Sequence, residues 1–152
     1  MNRVIALAAD HAGYALKALL VDELRGGGHE VLDLGAHGEA SVDYPDYGFA
    51  VAQAVTSGRA ARGIAVCGSG IGIAIAANRV AGARAALCTS GLMARMSRTH
   101  NDANILVLGS RIIGVEVARD CVHEFLNTAF EGGRHAGRVA KLDGATLQEA
   151  AE

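Results

Sequence analysis

The chain has 152 residues and a formal net charge of −2, with 51% hydrophobic but only 4% aromatic residues. That length implies one domain with a real core, which Ala, Val, Ile and Leu must fill, and the near-neutral balance gives no reason to expect nucleic acid or an anionic membrane as partner. Three cysteines (Cys67, Cys88, Cys121) without CxxC spacing fit a reducing compartment, and the apolar opening Arg3–Ala9 turns polar at Asp10-His11 too soon for a signal peptide or membrane span, so a soluble cytoplasmic protein is expected.

Apolar runs alternate with helical patterns along the chain. Val4–Ala9 reads as a first strand, and the helix that follows over 14–24 places Leu16, Leu19, Leu20 and Leu24 on one face. Gly26-Gly27-Gly28 stops it, His29–Leu34 is a short second strand, and Asp43-Tyr44-Pro45 marks a loop before a helix around Tyr47–Thr56. Gly63–Val66 is the third strand, with its helix from about Gly72; Ala83–Cys88 is the fourth, followed by a helix over Leu92–Thr99. Asn104–Leu108 is the fifth strand and Val115–Phe130 a long helix, and after Gly132-Gly133 a tail from Arg134 to Glu152 reads as helical again.

Five βα units in sequence predict a single α/β domain over 1–152: a doubly wound, Rossmann-like parallel sheet with helices on both faces. The expected strand order is 2-1-3-4-5, with a crevice where strands 1 and 3 lead in opposite directions. Asp10-His11, Asp43-Tyr44, Cys67-Gly68-Ser69, Thr89-Ser90 and Ser110-Arg111 each follow a strand. In a parallel sheet they share the edge where open α/β folds bind ligands.

The densest chemistry lies at Cys67-Gly68-Ser69-Gly70-Ile71-Gly72, where an apolar strand ends on a thiol and a glycine turn opens a helix. A helix N-terminus favours both a thiolate and bound oxygen anions. Cys67 is therefore a candidate base or nucleophile, against the alternative of a small hydrophobe closing a strand; Cys88 and Cys121 lack that setting and read as packing residues. A dinucleotide fingerprint beginning at Gly68 fails, because its third glycine falls on Ile73 and the turn follows strand 3. Backbone donors for a small oxyanion fit better, with a tight turn chosen for packing as the alternative.

His11 and His100 are candidate proton donors or acceptors, while Asn101 and Asn104 can equally close a helix. A metal site at His100 and Asp102 lacks a third ligand, and His29, His37 and His123 read as surface residues. Arg111, with Arg134 and Arg138 four apart on a helical tail and His135 nearby, suits a phosphate; a solvated basic face is the alternative. Together these groups point to acid–base chemistry on a small phosphorylated molecule. A non-catalytic nucleotide- or flavin-binding module is the competing class, supported by fold analogy alone.

Several segments carry a more specific likeness: Ala9-Asp10-His11-Ala12-Gly13, Asp43-Tyr44-Pro45, Cys67–Gly72, Ala76-Ala77-Asn78, His100-Asn101-Asp102-Ala103-Asn104, Gly109-Ser110-Arg111 and Glu131-Gly132-Gly133-Arg134-His135. In this order they resemble the type B ribose-5-phosphate isomerases, which group with the galactose-6-phosphate isomerase subunits. The resemblance implies an aldose–ketose isomerase without metal or cofactor, working through a cis-enediolate. It implies Cys67 as the base that moves the proton between adjacent sugar carbons, and His100 as the acid–base group that opens the furanose ring. Backbone amides from Gly68 through Gly70 and Ile71 to Gly72, with Ser69 Oγ, would hold the oxyanion. Asp10 and Asn101 would contact hydroxyls or transferring protons, and His11, Arg111, Arg134 and Arg138 the phosphate. Some relatives use a glutamate after the turn, at the position of Ile73 here. The resemblance also implies a homodimer, or a dimer of dimers, with shared sites. Ribose 5-phosphate is the expected substrate, with allose 6-phosphate, galactose 6-phosphate and tetrose phosphates as alternatives.

Overall fold

Three strands form the centre of the molecule because their sequences are apolar on both faces. They are β1 (Ile5–Ala9), β3 (Arg62–Cys67) and β5 (Ile105–Gly109), and all but Arg62 are buried. Strands covered by helices on both sides need such uninterrupted runs. The two shorter strands, β2 (Val31–Asp33) and β4 (Ala85–Leu87), are only half-buried and lie at the edges. In this computed structural model, which describes residues 2–144, every strand pair is parallel.

Among the described residues six helices complete the alternation: α1 (Tyr14–Gly26), α2 (Tyr44–Thr56), α3 (Ile71–Asn78), α4 (Gly91–Asn101), α5 (Val115–Asn127) and α6 (Arg134–Asp143). On one face of the sheet Leu7, Ile64, Val66 and Leu106 pack with Leu20 of α1 and Phe125 of α5. On the other, Ala6, Ala8, Ala65 and Val107 meet Val51 of α2 and Ile73 of α3. The predicted doubly wound parallel sheet holds. The part of the predicted tail beyond residue 144 lies outside the described residues.

The strand order is 2-1-3-5-4 rather than 2-1-3-4-5. The reason is burial: Ile105-Leu106-Val107-Leu108 is apolar on both faces and takes the inner place, where it pairs with both β3 and β4. Ala85-Ala86-Leu87 is short and half-buried, which suits an edge.

A second departure is in α1. Its buried residues are Lys17, Leu20, Val21 and Leu24, while Leu16 and Leu19 are only partly covered. Lys17 is 1% exposed, and its ammonium donates to Asp33 Oδ1 and to the Ala36 carbonyl, both at 2.7 Å. A buried ammonium is tolerated only with such partners. The pair ties α1 to the segment after β2. Burial opposes ionisation of Asp33, but the hydrogen bonds from Lys17 and the Gly35 amide, with the lysine charge, outweigh it and hold the carboxyl below its ordinary range.

Candidate active site

The ends of β1, β3 and β5 converge on a cavity of about 330 Å³. Asp10 and His11 follow β1 directly, Cys67 ends β3, and Arg111 follows β5 by two residues. All four line the cavity together with Gly68, Ser69 and Gly72, and Tyr44 at the start of α2 joins them. The predicted edge therefore holds for seven of these residues. Thr89 and Ser90 do other work: Ser90 Oγ accepts from Met93 N and caps α4.

Close packing fixes the turn after Cys67. A side chain at Gly13 would overlap the Val66 carbonyl, so the start of α1 lies directly against β3. Gly70 has φ +79°, a left-handed conformation that L side chains rarely adopt. The Gly70 amide donates to Cys67 Sγ at 3.1 Å, and the Ile71 amide to Ser69 Oγ at 3.2 Å. The amides of Ser69 and Gly72 have no intramolecular acceptor among the described residues. Ile71 itself is exposed and does not line the cavity, so its predicted amide role is already taken by Ser69.

From β5, Ser110 N donates to the Cys67 carbonyl at 2.9 Å and Arg111 N to the Gly68 carbonyl at 2.9 Å. Ser110 Oγ donates to the Ala12 carbonyl at 2.8 Å. One loop thus clamps the ends of both β1 and β3. His11 Nδ1 accepts from Val42 N at 3.2 Å, which leaves Nε2 to carry the proton of the neutral ring. Asp10 Oδ1 accepts from Gly13 N at 3.0 Å. Cys67 is 4% exposed yet lines the cavity. Cys88 and Cys121 are buried elsewhere. Burial first, then the neighbouring thiol, pushes Cys88 up to about 12; burial and the Asp120 charge push Cys121 up to about 11.

The remaining predicted residues do not join this cavity. Helix α4 begins at the carboxyl edge of the sheet and runs back, so His100 and Asn101 end it at the opposite edge, near the start of β5. Arg134 and Arg138 are exposed on α6, which packs against α4. His100 stacks on His135, with ring centroids 4.5 Å apart and 20° between planes. The candidate groups therefore fall into two clusters, one at each edge of the sheet.

Asp102 is engaged with arginines rather than with His100. It caps α4 in a left-handed conformation and pairs with Arg98 at 2.8 Å and Arg84 at 3.4 Å. Asn104 closes no helix; its side chain accepts from Arg84 N and donates to the Gly82 carbonyl. Sequence reasoning missed Lys17, although i, i+3, i+4 and i+7 spacing to Leu20, Val21 and Leu24 marks its face. The role of Val42, a backbone contact to His11, has no sequence signal.

The chain matches the family model described as ribose/galactose isomerase over residues 5–142. It is 46% identical to ribose-5-phosphate isomerase B of Escherichia coli K12, over 91% of this chain and 93% of that one. Its fold is similar to that of Clostridium thermocellum ribose-5-phosphate isomerase B, with TM-score 0.92, 52% identity and coverage of 98% and 99%. It is also similar to a Mycoplasma genitalium ribose-5-phosphate isomerase B with bound ribulose 5-phosphate, with TM-score 0.87, 39% identity and coverage of 91% and 93%.

Proposed function

This chain belongs to the ribose/galactose isomerase family, and from that premise we propose that it interconverts ribose 5-phosphate and ribulose 5-phosphate through a cis-enediolate, without metal or cofactor. The observation that carries the reading is the Cys67 sulfur at the cavity, held by the Gly70 amide at 3.1 Å and flanked by the uncommitted amides of Ser69 and Gly72. In this reading the Cys67 thiolate removes the proton from C2 of the open-chain aldose and returns it to C1. The carbonyl oxygen becomes an enediolate oxygen that the free amides and Ser69 Oγ stabilise, and the O2 hydroxyl proton passes to O1 as the ketose carbonyl forms at C2. One such donor is worth about 3–4 kcal/mol in the transition state. Asp10 contacts the sugar hydroxyls, and His11 Nε2–H and Arg111 hold the phosphate from this side.

His100, Asn101, Arg134 and Arg138 belong to the same reaction only if a second copy supplies them. His100 then opens the furanose ring, Asn101 contacts the sugar, and the two arginines, one helical turn apart, grip the phosphate. Apolar surface supports such pairing. Ile71 and Ile75 of α3 and Leu92, Met93 and Met96 of α4 are large apolar side chains left exposed on the helices before and after β4, and exposed apolar surface suits a subunit contact. Among the described residues no helix is long and apolar enough to cross a membrane.

A nucleotide-binding module fits less well. The glycine turn follows β3, and Ile73, where a dinucleotide fingerprint needs glycine, is buried in the core. The family description includes galactose as well as ribose, so six-carbon aldose phosphates remain the second reading for the substrate. Incubating the protein with ribose 5-phosphate and excess chelator should give ribulose 5-phosphate. Turnover of a hexose or tetrose phosphate, with none of ribose 5-phosphate, moves the substrate within the family.

A further inference from the structure

Three metal-ligating side chains meet at the edge of the sheet away from Cys67. His100 ends α4, Glu131 precedes α6, and His135 lies in its first turn, and one ligand atom from each falls within 4.8 Å of the other two. Backbone hydrogen bonds hold the segment in place: Glu131 N donates to the Thr99 carbonyl at 3.2 Å, and His135 N to the Gly132 carbonyl at 3.0 Å. A second observation points to a ligand. His135 is 5% exposed, and its Nε2 is buried without a hydrogen-bond partner among the described residues. Glu131 Oε2, at 3.6 Å, is too far to serve as one. A buried polar nitrogen left unpaired is costly and calls for an explanation.

We propose that His100, Glu131 and His135 form a binding site for a divalent transition-metal ion of the zinc class, and that occupancy inhibits the enzyme by withdrawing His100 from proton transfer. Two imidazoles and one carboxylate suit zinc or cobalt and do not suit magnesium or calcium, which take oxygen ligands. A tetrahedral site with metal–nitrogen distances of about 2.0–2.1 Å places its ligand atoms about 3.4 Å apart. Glu131 is exposed and His100 half-exposed, so these two can close on the fixed His135 ring. The cations of Arg134 and Arg138 oppose a dication, so micromolar rather than nanomolar affinity is expected.

Metal binding stands independently of the isomerase reading; the inhibition rests on it. The binding test uses Cys67→Ala protein, so that no active-site thiolate competes. Titration with Co²⁺ should give one ion per chain, with the visible absorption of a tetrahedral nitrogen–oxygen site and no thiolate charge-transfer band. Glu131→Gln and His135→Gln, each added to that background, should weaken binding by at least about tenfold. Unchanged affinity in both overturns the site. For inhibition, Zn²⁺ should remove turnover of the unaltered enzyme and chelator should restore it. The single variant Glu131→Gln should keep basal turnover and resist Zn²⁺. Full turnover at a Zn²⁺ concentration that saturates the site overturns the inhibitory role. A protein that binds Co²⁺ as described but turns over no phosphosugar contradicts the isomerase reading and leaves the metal site standing.

Discussion

The Gly70 amide donates to Cys67 Sγ across 3.1 Å, and the same glycine has φ +79°. One residue thus supplies both the bend that shapes the turn and a hydrogen bond to the sulfur. Gly70→Ala is strained in two ways: an L residue in the left-handed region costs about 1–2 kcal/mol, and the added methyl sits 2.5 Å from Leu87 Cδ1 and 3.1 Å from the Leu108 carbonyl carbon. The variant should melt at lower temperature and lose up to about 10²-fold in kcat as the donors move. Wild-type kcat in a variant shown to be folded would mean that the turn does not aim the donors.

Thiol chemistry should separate the three cysteines. Cys88 and Cys121 are buried and pushed up to about 12 and about 11, so neither forms appreciable thiolate at pH 8. Cys67 lines the cavity. Limiting iodoacetamide at pH 8 should label Cys67 alone in the folded protein, with loss of turnover in proportion. Peptide mapping that finds Cys88 or Cys121 modified first would contradict this.

The Lys17–Asp33 pair should make stability depend on acid pH. The Asp33 carboxyl lies below its ordinary value of 3.8 in the folded chain, so its contribution is present above that value and is lost as pH falls through the lower folded one. Removing one partner of a buried pair costs about 3–5 kcal/mol. Asp33→Ala should sit near the lower end, since the Ala36 carbonyl still accepts from Lys17. Urea melts of both proteins should differ most near pH 7, and the difference should shrink as pH falls below 3.8. A constant difference down to acid pH would contradict the carboxylate's role.

The five βα units and the carboxyl-edge cluster were legible because apolar runs and strand-end polar residues are properties of local sequence. The order of the last two strands was not read from it, although the relative burial of Ile105–Leu108 and Ala85–Leu87 decides it. Cys67, Asp10, His11 and Arg111 came together as expected. The separation of His100, Arg134 and Arg138 from them follows from the direction of α4, which carries its end to the far edge; motif order along the chain carries no such information. The grouping of Glu131 and His135 with His100 is a tertiary fact of the same kind.

If two copies share each site, defects in opposite halves should complement. Cys67→Ala and His100→Asn are each expected to be inactive. A mixed dimer then holds one doubly defective site and one intact site. Random exchange of equal amounts makes about half the dimers mixed, and so restores about a quarter of wild-type activity. No recovery after verified subunit exchange would place both halves of each site in one chain.

Proton transfer by Cys67 is the central claim, and exchange into ribose 5-phosphate in D₂O tests it most directly. The wild-type enzyme should deliver solvent deuterium to the carbon that receives the proton, at the pace of isomerisation. Cys67→Ala should bind the sugar phosphate with comparable affinity and catalyse neither exchange nor isomerisation. A folded Cys67→Ala protein that exchanges at near the wild-type rate would take the thiol out of the reaction.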